Sequence, residues 1–266
     1  NVSVLDFDGL DLGASAASGT FGITSGGAIT DSGTQAITGA STFTNTAGTN
    51  DAITLDDASN AFAGTVTFST DSGSAVTVVD TTALDLLALT AASLSVTAGG
   101  AVTDSGTLAI TGATTISASG QDITLDEAAS TFGTLALTGA NVAVTENAAT
   151  DLGASTVSGT FGITSGGAIT DSGTQAITGA ATFTNTAGTN DAITLDDASN
   201  AFSGTVTFST DSGSAVTVVD TTALDLLALS AASLSVTAGG AVTDSGTLAV
   251  SGATTISASG QDITLD

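Results

Sequence analysis

The stretch Ser93-Leu-Ser-Val-Thr-Ala-Gly-Gly-Ala-Val-Thr-Asp-Ser-Gly106 contains the pattern that decides the fold. Leu94 and Val96 alternate with serine and threonine, so a strand here would point its apolar side chains to one face and its hydroxyls to the other. The Gly-Gly and Asp-Ser-Gly groups are typical of sharp corners, because glycine readily adopts positive φ. The stretch therefore predicts a strand, a corner, a second strand and a second corner.

The same two-residue rhythm runs along the rest of the chain. Groups such as Ala-Gly-Thr-Asn and Ser-Gly-Gln-Asp separate the predicted strands, which are three to five residues long. Five phenylalanines share the spacing of the strands and are predicted to fill the interior, namely Phe21, Phe43, Phe62, Phe68 and Phe132. The predicted inward-facing pairs are Phe21 and Ile23, Ile53 and Leu55, Val66 and Phe68, Val76 and Val78, Leu84 and Leu86, Leu94 and Val96, Leu108 and Ile110, Ile123 and Leu125, Leu135 and Leu137, and Val142 and Val144.

The chain repeats itself almost verbatim. Gly64-Thr-Val-Thr-Phe-Ser69 returns 140 residues later as residues 204–209, and residues 1–126 differ from 141–266 at only 14 positions. A weaker half-repeat of about 70 residues lies within each copy, since residues 26–33 return in modified form as residues 99–106. The predicted organisation is therefore a 140-residue repeat, residues 1–140 followed by an incomplete second copy at 141–266, each with two half-repeats.

Continuous stacking explains this organisation better than separate domains, because no linker of different composition divides the copies. An antiparallel sandwich would leave open edges and has no reason to repeat without end. We therefore predict an all-β fold, a continuous parallel β-solenoid over residues 1–266 with coils of roughly 20 to 24 residues, about 12 to 13 coils in all. The final copy stops partway, so the chain is expected to be an uncapped segment of a longer polypeptide.

The composition argues against catalysis. The chain has 266 residues, 26 of them acidic, and contains no lysine, arginine, histidine, cysteine or methionine. It therefore lacks an imidazole base, a thiolate, an amine nucleophile and a cation that could clamp an oxyanion. Paired carboxylates alone could support glycoside hydrolysis, but the repetition favours architecture, so we predict no enzymatic activity and no required cofactor.

The net charge of -26 also limits the partners. Nucleic-acid binding depends on lysine and arginine that neutralise phosphates, so nucleic acid is not an expected partner. The same sign repels anionic membrane surfaces, and no apolar run reaches the ~18 residues of a membrane helix, so direct membrane insertion is not expected.

Adjacent carboxylates follow predicted strands at three places. These candidate Ca²⁺ ligands are Asp56, Asp57, Asp126, Glu127, Asp196 and Asp197. The Gly-Gly-x-Gly-x-Asp pattern of calcium-binding β-rolls is missing, so diffuse cation binding around the acidic chain is the alternative. The aspartates of the Thr-Asp-Ser-Gly corners are predicted to accept hydrogen bonds from their own local backbone, and they are Asp31, Asp104, Asp171 and Asp244.

Three phrases, Ser93–Gly106, Thr107-Leu-Ala-Ile-Thr-Gly-Ala113 and Asp122-Ile-Thr-Leu-Asp126, resemble the repeats of filamentous-haemagglutinin-like exoproteins of two-partner secretion. The resemblance covers nearly the whole chain. It implies a right-handed parallel β-helix, export across the outer membrane, and a role as the shaft of an adhesin or contact-dependent toxin. The missing lysine and arginine depart from what is usual in that family.

Three functional hypotheses follow. The first is a secreted stalk or fibre on the bacterial cell surface, which would present a distal receptor-binding module outside this segment. The second is a matrix or sheath filament in which copies of the chain associate laterally or end to end. The third is a solenoid that binds carbohydrate or ice through its Thr-x-Thr tracts, and it ranks last because tryptophan and tyrosine platforms are missing.

Overall fold

The computed structural model describes residues 1–46, 48, 50–186, 188, 190–210 and 213–266. Within those residues every regular element is a β-strand, and no helix long and apolar enough to cross a membrane is found among them. The chain divides into two compact units, Asn1–Gly133 and Thr134–Asp266.

The first unit is built from short strands separated by corners. Most of its strands have three to six residues, which agrees with the spacing of the turn signals in the sequence. The strands are β1 Val2–Asp6, β2 Leu10–Leu12, β3 Ser15–Ala17, β4 Phe21–Ser25, β5 Ile29–Asp31, β6 Gln35–Ile37, β7 Ser41–Asn45, β8 Ile53–Leu55, β9 Ala61–Phe62, β10 Thr65–Ser69, β11 Ala75–Asp80, β12 Leu84–Leu86, β13 Leu89–Ala91, β14 Ser93–Ala98, β15 Val102–Asp104, β16 Leu108–Ser117 and β17 Ile123–Leu125.

The second unit follows the same plan, and its first strand begins shortly before the boundary. Its strands are β18 Thr131–Gly139, β19 Val142–Glu146, β20 Thr150–Leu152, β21 Ser155–Val157, β22 Phe161–Ser165, β23 Ile169–Asp171, β24 Gln175–Ile177, β25 Ala181–Asn185, β26 Ile193–Leu195, β27 Ala201–Phe202, β28 Thr205–Ser209, β29 Ala215–Asp220, β30 Leu224–Ala231, β31 Ser233–Ala238, β32 Val242–Asp244, β33 Leu248–Val250, β34 Thr254–Ser257 and β35 Ile263–Thr264.

Strands of successive coils pair in parallel. In the first unit Val2 pairs with Phe21, and Phe21 pairs in turn with Ser41. One sheet of this unit takes a strand from each coil, in the order β1-β4-β7-β10-β12-β15-β17, and β2-β5-β8-β11 stack on a second face. The predicted parallel β-solenoid is therefore confirmed, with about 13 turns in the chain.

Coil length varies more than the sequence predicted. Paired residues are 18 positions apart where Leu84 meets Val102 and 25 apart where Ser41 meets Val66. This range is wider than the predicted 20 to 24 residues because loops between strands can change in length without changing the pairing of the strands.

The second unit repeats the register of the first. Phe161 pairs with Ala181, and Ala181 pairs with Val206, which reproduces the pairing of Phe21, Ser41 and Val66. These strands therefore keep their register in both copies, whereas β30 pairs with β28 through a bulge and over more residues than the equivalent β12 pairs with β10.

The interior is the apolar face that the alternation predicted. All ten predicted pairs are buried, and the five predicted phenylalanines are at most 5 % exposed. Phe43 lies at the centre of an aromatic cluster, with ring centroids 5.8 Å from both Phe62 and Phe68. The equivalent Phe183 stacks on Phe208 at 5.7 Å. Such ring pairs add about 0.5–1.5 kcal/mol each to the hydrophobic burial.

The corners use glycine in two different ways. Gly48 and Gly120 have the predicted positive φ, at 59° and 76°. The Ser-Gly-Gly and Asp-Ser-Gly glycines do not, so that part of the prediction was wrong. At Gly33 the reason is space, since a Cβ there would lie 2.5 Å from the backbone nitrogen of Ala14 in the preceding coil. These corners need glycine because consecutive coils approach too closely for a side chain.

Candidate functional site

Asp31 is the last residue of strand β5, two positions after the buried Ile29. Its side chain therefore lies on the same, inward-facing side of the strand, at a corner of the coil. Its carboxylate reaches the following coil. Oδ1 accepts hydrogen bonds from the backbone N–H groups of Asp56 at 2.8 Å and Asp57 at 3.3 Å, and Oδ2 accepts one from Nδ2 of Asn60 at 2.6 Å. The prediction that this aspartate bonds its own local backbone was wrong, because the donors lie one coil further along the chain.

Asn60 completes the connection between the coils. It is fully buried, and its Oδ1 accepts the backbone N–H of Gln35 at 2.7 Å while its Nδ2 donates to Asp31. One amide therefore satisfies a backbone donor and a carboxylate oxygen of the preceding coil. We call Asp31, Asp56, Asp57 and Asn60 the Asp31 corner.

The two adjacent carboxylates of this corner have different surroundings. Asp57 is half-buried, and its Oδ1 accepts the Ser59 backbone N–H at 2.9 Å and the Thr34 hydroxyl at 3.2 Å. The Asp56 side chain is exposed. The pair contributes to the corner mainly through its backbone N–H groups, which face the Asp31 carboxylate.

The second unit builds the same corner from Asp171, Asp196, Asp197 and Asn200, the Asp171 corner. The Asp196 backbone N–H lies 2.8 Å from Asp171 Oδ1, and Asn200 Nδ2 lies 2.6 Å from Asp171 Oδ2. Asn200 again accepts a backbone N–H, from Gln175 at 2.7 Å. Burial raises the pKa of the Asp171 carboxyl, and the hydrogen bond from Asn200 opposes that rise.

The half-repeat between the Asp31 and Asp171 corners contains a corner with different side chains. Asp104 accepts the Asp126 backbone N–H at 2.8 Å, as expected, but Ser130 stands where the other corners have asparagine. Its hydroxyl accepts the Leu108 backbone N–H at 3.0 Å. We call Asp104, Asp126, Glu127 and Ser130 the Asp104 corner.

The Asp104 carboxyl is the most perturbed of the corner carboxyls. Asp104 is 6 % exposed, and its Oδ2 accepts no hydrogen bond from any residue the structure describes. Burial, with a further contribution from the negative charges of Asp126 and Glu127, raises its pKa to about 6. Burial also raises the pKa of Asp80 and Asp220, two carboxyls that end strands β11 and β29.

The six predicted calcium ligands all lie at these three corners. Each pair directly follows the strand of the next coil that pairs with the strand of its corner aspartate. Asp56, Asp126 and Asp196 are exposed, and the other three are half-buried. In the described part of the chain, no three acidic side chains are grouped so as to hold a metal ion. The structure assigns none of the six as a metal ligand, and calcium binding stays a prediction.

Each unit also has a shallow groove on its surface. In the first unit it measures about 370 Å³ and is lined by residues that include Phe68, Thr70, Thr90 and Thr107. The equivalent groove of the second unit measures about 380 Å³. Both are lined by hydroxyl, apolar and backbone groups, and among the described residues no titratable side chain lines either one. The described lining therefore places no general base beside the threonine hydroxyls.

Each of the four half-repeats matches the same known protein family. Residues 1–69, 73–138, 139–209 and 213–266 each match the family described as repeats of unknown function, DUF5649. The chain belongs to this family. The first and third DUF5649 repeats contain the Asp31 and Asp171 corners, and the second contains the Asp104 corner. No curated protein and no solved structure matches the chain.

The sequence located the corner aspartates and the adjacent carboxylates but did not show which side chains join them. Asn60, Asn200 and Ser130 decide how each carboxylate is satisfied. The Asp-Asp-x-x-Asn spacing of the first and third repeats, changed to Asp-Glu-x-x-Ser in the second, was the signal available.

Proposed function

We propose that the chain is a structural repeat segment of an extracellular stalk or fibre on a bacterial cell surface, of the adhesin-shaft type that its repeats resemble. The observation that carries this proposal is the identity of the Asp31 and Asp171 corners. Their two key distances, 2.8 Å and 2.6 Å, are the same in both units. The repeat therefore preserves the hydrogen bonds that join consecutive coils, as expected of a chain whose role is structural.

A structural role also fits the chemistry of the corners. The carboxylates of Asp31 and Asp171 are occupied by backbone and asparagine donors, which leaves them poorly placed to attack or deprotonate a substrate. Without lysine, arginine or histidine, the chain has no cationic side chain to stabilise a developing negative charge. We therefore propose that the chain is not an enzyme.

A shaft benefits from repetition because its length grows with the number of repeats while each interface between coils stays the same. The composition suits exposure outside the cell. A chain without lysine and arginine offers no cleavage point to trypsin-like proteases, and one without methionine and cysteine resists mild oxidation. The extracellular location belongs to this proposal, and the distal partner would be a surface receptor bound by other parts of the protein.

A self-associating matrix filament is the second candidate. Threonine and serine cover the outer faces of the strands, and at Thr30 and Thr54 they stack in register. Small side chains of this kind permit close contact between copies of the chain. The charge of -26 opposes such contact, so divalent cations would have to screen the repulsion.

Electron microscopy of the 266-residue chain, in calcium and after chelation, separates the two candidates. A shaft segment gives separate particles one solenoid wide in both conditions. Ordered multi-chain filaments in chelator would overturn the stalk proposal and make assembly itself the function. Filaments that form in calcium and dissolve on chelation would support the cation-screened matrix.

A matched variant tests whether particular carboxylates bind the cation. Asp56→Asn with Asp196→Asn removes two exposed charges and keeps the backbone N–H groups that bond Asp31 and Asp171. If calcium acts as a diffuse counterion, the double variant assembles at nearly the same calcium concentration as the parent chain. A loss of calcium-dependent assembly in this variant would instead show discrete sites at these pairs.

A further inference from the structure

The Asp31, Asp104 and Asp171 corners differ at two positions, and one of them is the asparagine that Ser130 replaces in the Asp104 corner. Asn60, Asn200 and Ser130 all accept a backbone N–H from the preceding coil, donated by Gln35, Gln175 and Leu108 respectively. Serine therefore keeps the hydrogen-bond acceptor that asparagine provides for this backbone N–H. The strand that follows each of these residues can therefore begin in the same way in all three half-repeats.

Asparagine has a second role, donation of a hydrogen bond to the corner carboxylate, and Ser130 does not fill it. Nδ2 of Asn60 and of Asn200 donates to the corner carboxylate at 2.6 Å. Serine is shorter, and although its hydroxyl keeps a hydrogen to donate while its oxygen accepts the Leu108 N–H, it makes no hydrogen bond to Asp104 Oδ2 in the described part of the chain. Oδ2 of Asp104 accordingly accepts no hydrogen bond within the described part of the chain, although the residue is only 6 % exposed.

No neighbouring charge compensates for the missing donor. The ionisable residues on the strands that pack against β15, and at their ends, are all acidic. Asp85 lies on the preceding coil, where its carboxylate accepts the Ser105 hydroxyl at 2.8 Å. Asp126 and Glu127 follow β17 beside Asp104, and Asp122 precedes β17 at its opposite end. An ionised Asp104 therefore lies in a buried corner among like charges, where a bound proton would remove one of those charges.

We propose that Asp104 is a proton-binding site of the second DUF5649 repeat, created by Ser130 in place of the asparagine that satisfies Asp31 and Asp171. Protonation removes the charge from a buried oxygen that accepts no hydrogen bond in the described part of the chain. The pKa of about 6 places this uptake in mildly acidic solution. The site is independent of the proposed stalk function.

Carboxyl ¹³C NMR of the aspartate-labelled chain tests the proposal, with Asp104→Asn used to assign the signal. The Asp104 signal of the parent chain should titrate near pH 6. Ser130→Asn supplies the missing donor and should lower this midpoint by about one pH unit, which is a tenfold weaker affinity for the proton. A parent midpoint near that of an exposed aspartate, or a midpoint unchanged by Ser130→Asn, would overturn the proposal.

Two further variants keep the test independent of whether Ser130→Asn folds. Ser130→Ala removes the hydroxyl and adds no donor, so the Asp104 midpoint should stay near that of the parent chain. Asn200→Ser recreates the Asp104 corner around Asp171, and the midpoint of Asp171 should rise relative to the parent chain because the hydrogen bond from Asn200 opposes the effect of burial. An Asp171 midpoint that does not move in Asn200→Ser would contradict the assigned role of the asparagine.

Discussion

Oδ2 of Asp31 lies 2.6 Å from Nδ2 of Asn60, and these two residues are 29 positions apart in the chain. The bond joins a corner of one coil to the start of a strand in the next coil. The same bond recurs between Asp171 and Asn200, so it is a regular joint of the solenoid.

Asn60→Asp should strongly destabilise the first unit at neutral pH. The change replaces a donor with a carboxylate beside Asp31 in a buried position, and we expect a loss of about 3 kcal/mol in the free energy of unfolding. Urea denaturation at pH 7 measures this loss. Part of it should be recovered near pH 4, because one protonated carboxyl can donate to the other.

Ser59→Asp is the control for this charge. It adds a negative charge at an exposed neighbouring position and keeps the backbone N–H that bonds Asp57. The expected change is about 0.5 kcal/mol or less. Equal losses in the two variants would show that net charge, rather than the bond between Asp31 and Asn60, controls stability here.

Asp104→Asn should stabilise the chain above pH 6. Because burial raises the folded-state pKa of Asp104 from 3.8 to about 6, the ionised carboxyl destabilises the fold above that range. The penalty is lost as the pH falls through about 6 and is gone below 3.8, so acidification stabilises the parent chain at this site. We expect a gain of about 1–2 kcal/mol for the variant at pH 7.5 and none near pH 3.5.

The measurement is the free energy of unfolding of both chains as a function of pH. Asp56→Asn serves as the comparison, because it removes the charge of an exposed carboxylate and should not reproduce the same pH profile. A constant difference between Asp104→Asn and the parent chain at all pH values would contradict the prediction.

Gly33→Ala should destabilise the corner because the added methyl group meets the backbone of the preceding coil. The Cβ would lie 2.5 Å from the Ala14 nitrogen, and backbone cannot move aside as a flexible side chain can. We expect a loss of about 1–3 kcal/mol, measured by chemical denaturation. Gly13→Ala is the matched control, since its Cβ would have no neighbour within 4 Å and the expected change is small.

Phe43→Ala should cost about 3–5 kcal/mol, because it opens a cavity among Phe21, Phe62 and Phe68. Thr42→Ala in the same strand changes an exposed side chain and should alter stability by about 0.5 kcal/mol or less. Thermal unfolding followed by circular dichroism compares the two variants. A similar melting temperature for both would show that the aromatic cluster adds little to stability.

The sequence predicted the strands well for a physical reason. In a parallel solenoid one face of each strand between two neighbouring coils is buried, so the alternation at positions such as Val76 and Val78 maps directly onto the core. The corner glycines were harder to interpret. Positive φ and lack of space both select glycine, and only the coordinates distinguish Gly48 from Gly33.

The sequence by itself determined the all-β solenoid, the buried side of each strand and the repeat, because these depend on a two-residue period and on direct self-similarity. Only the tertiary structure decided which groups each corner carboxylate meets. Coil length ranges from 17 to 25 residues, so no fixed spacing pairs Asp31 with Asn60 or leaves Asp104 without an amide. Hydrogen bonds between coils depend on how the chain winds, and winding follows from the packing of the whole unit.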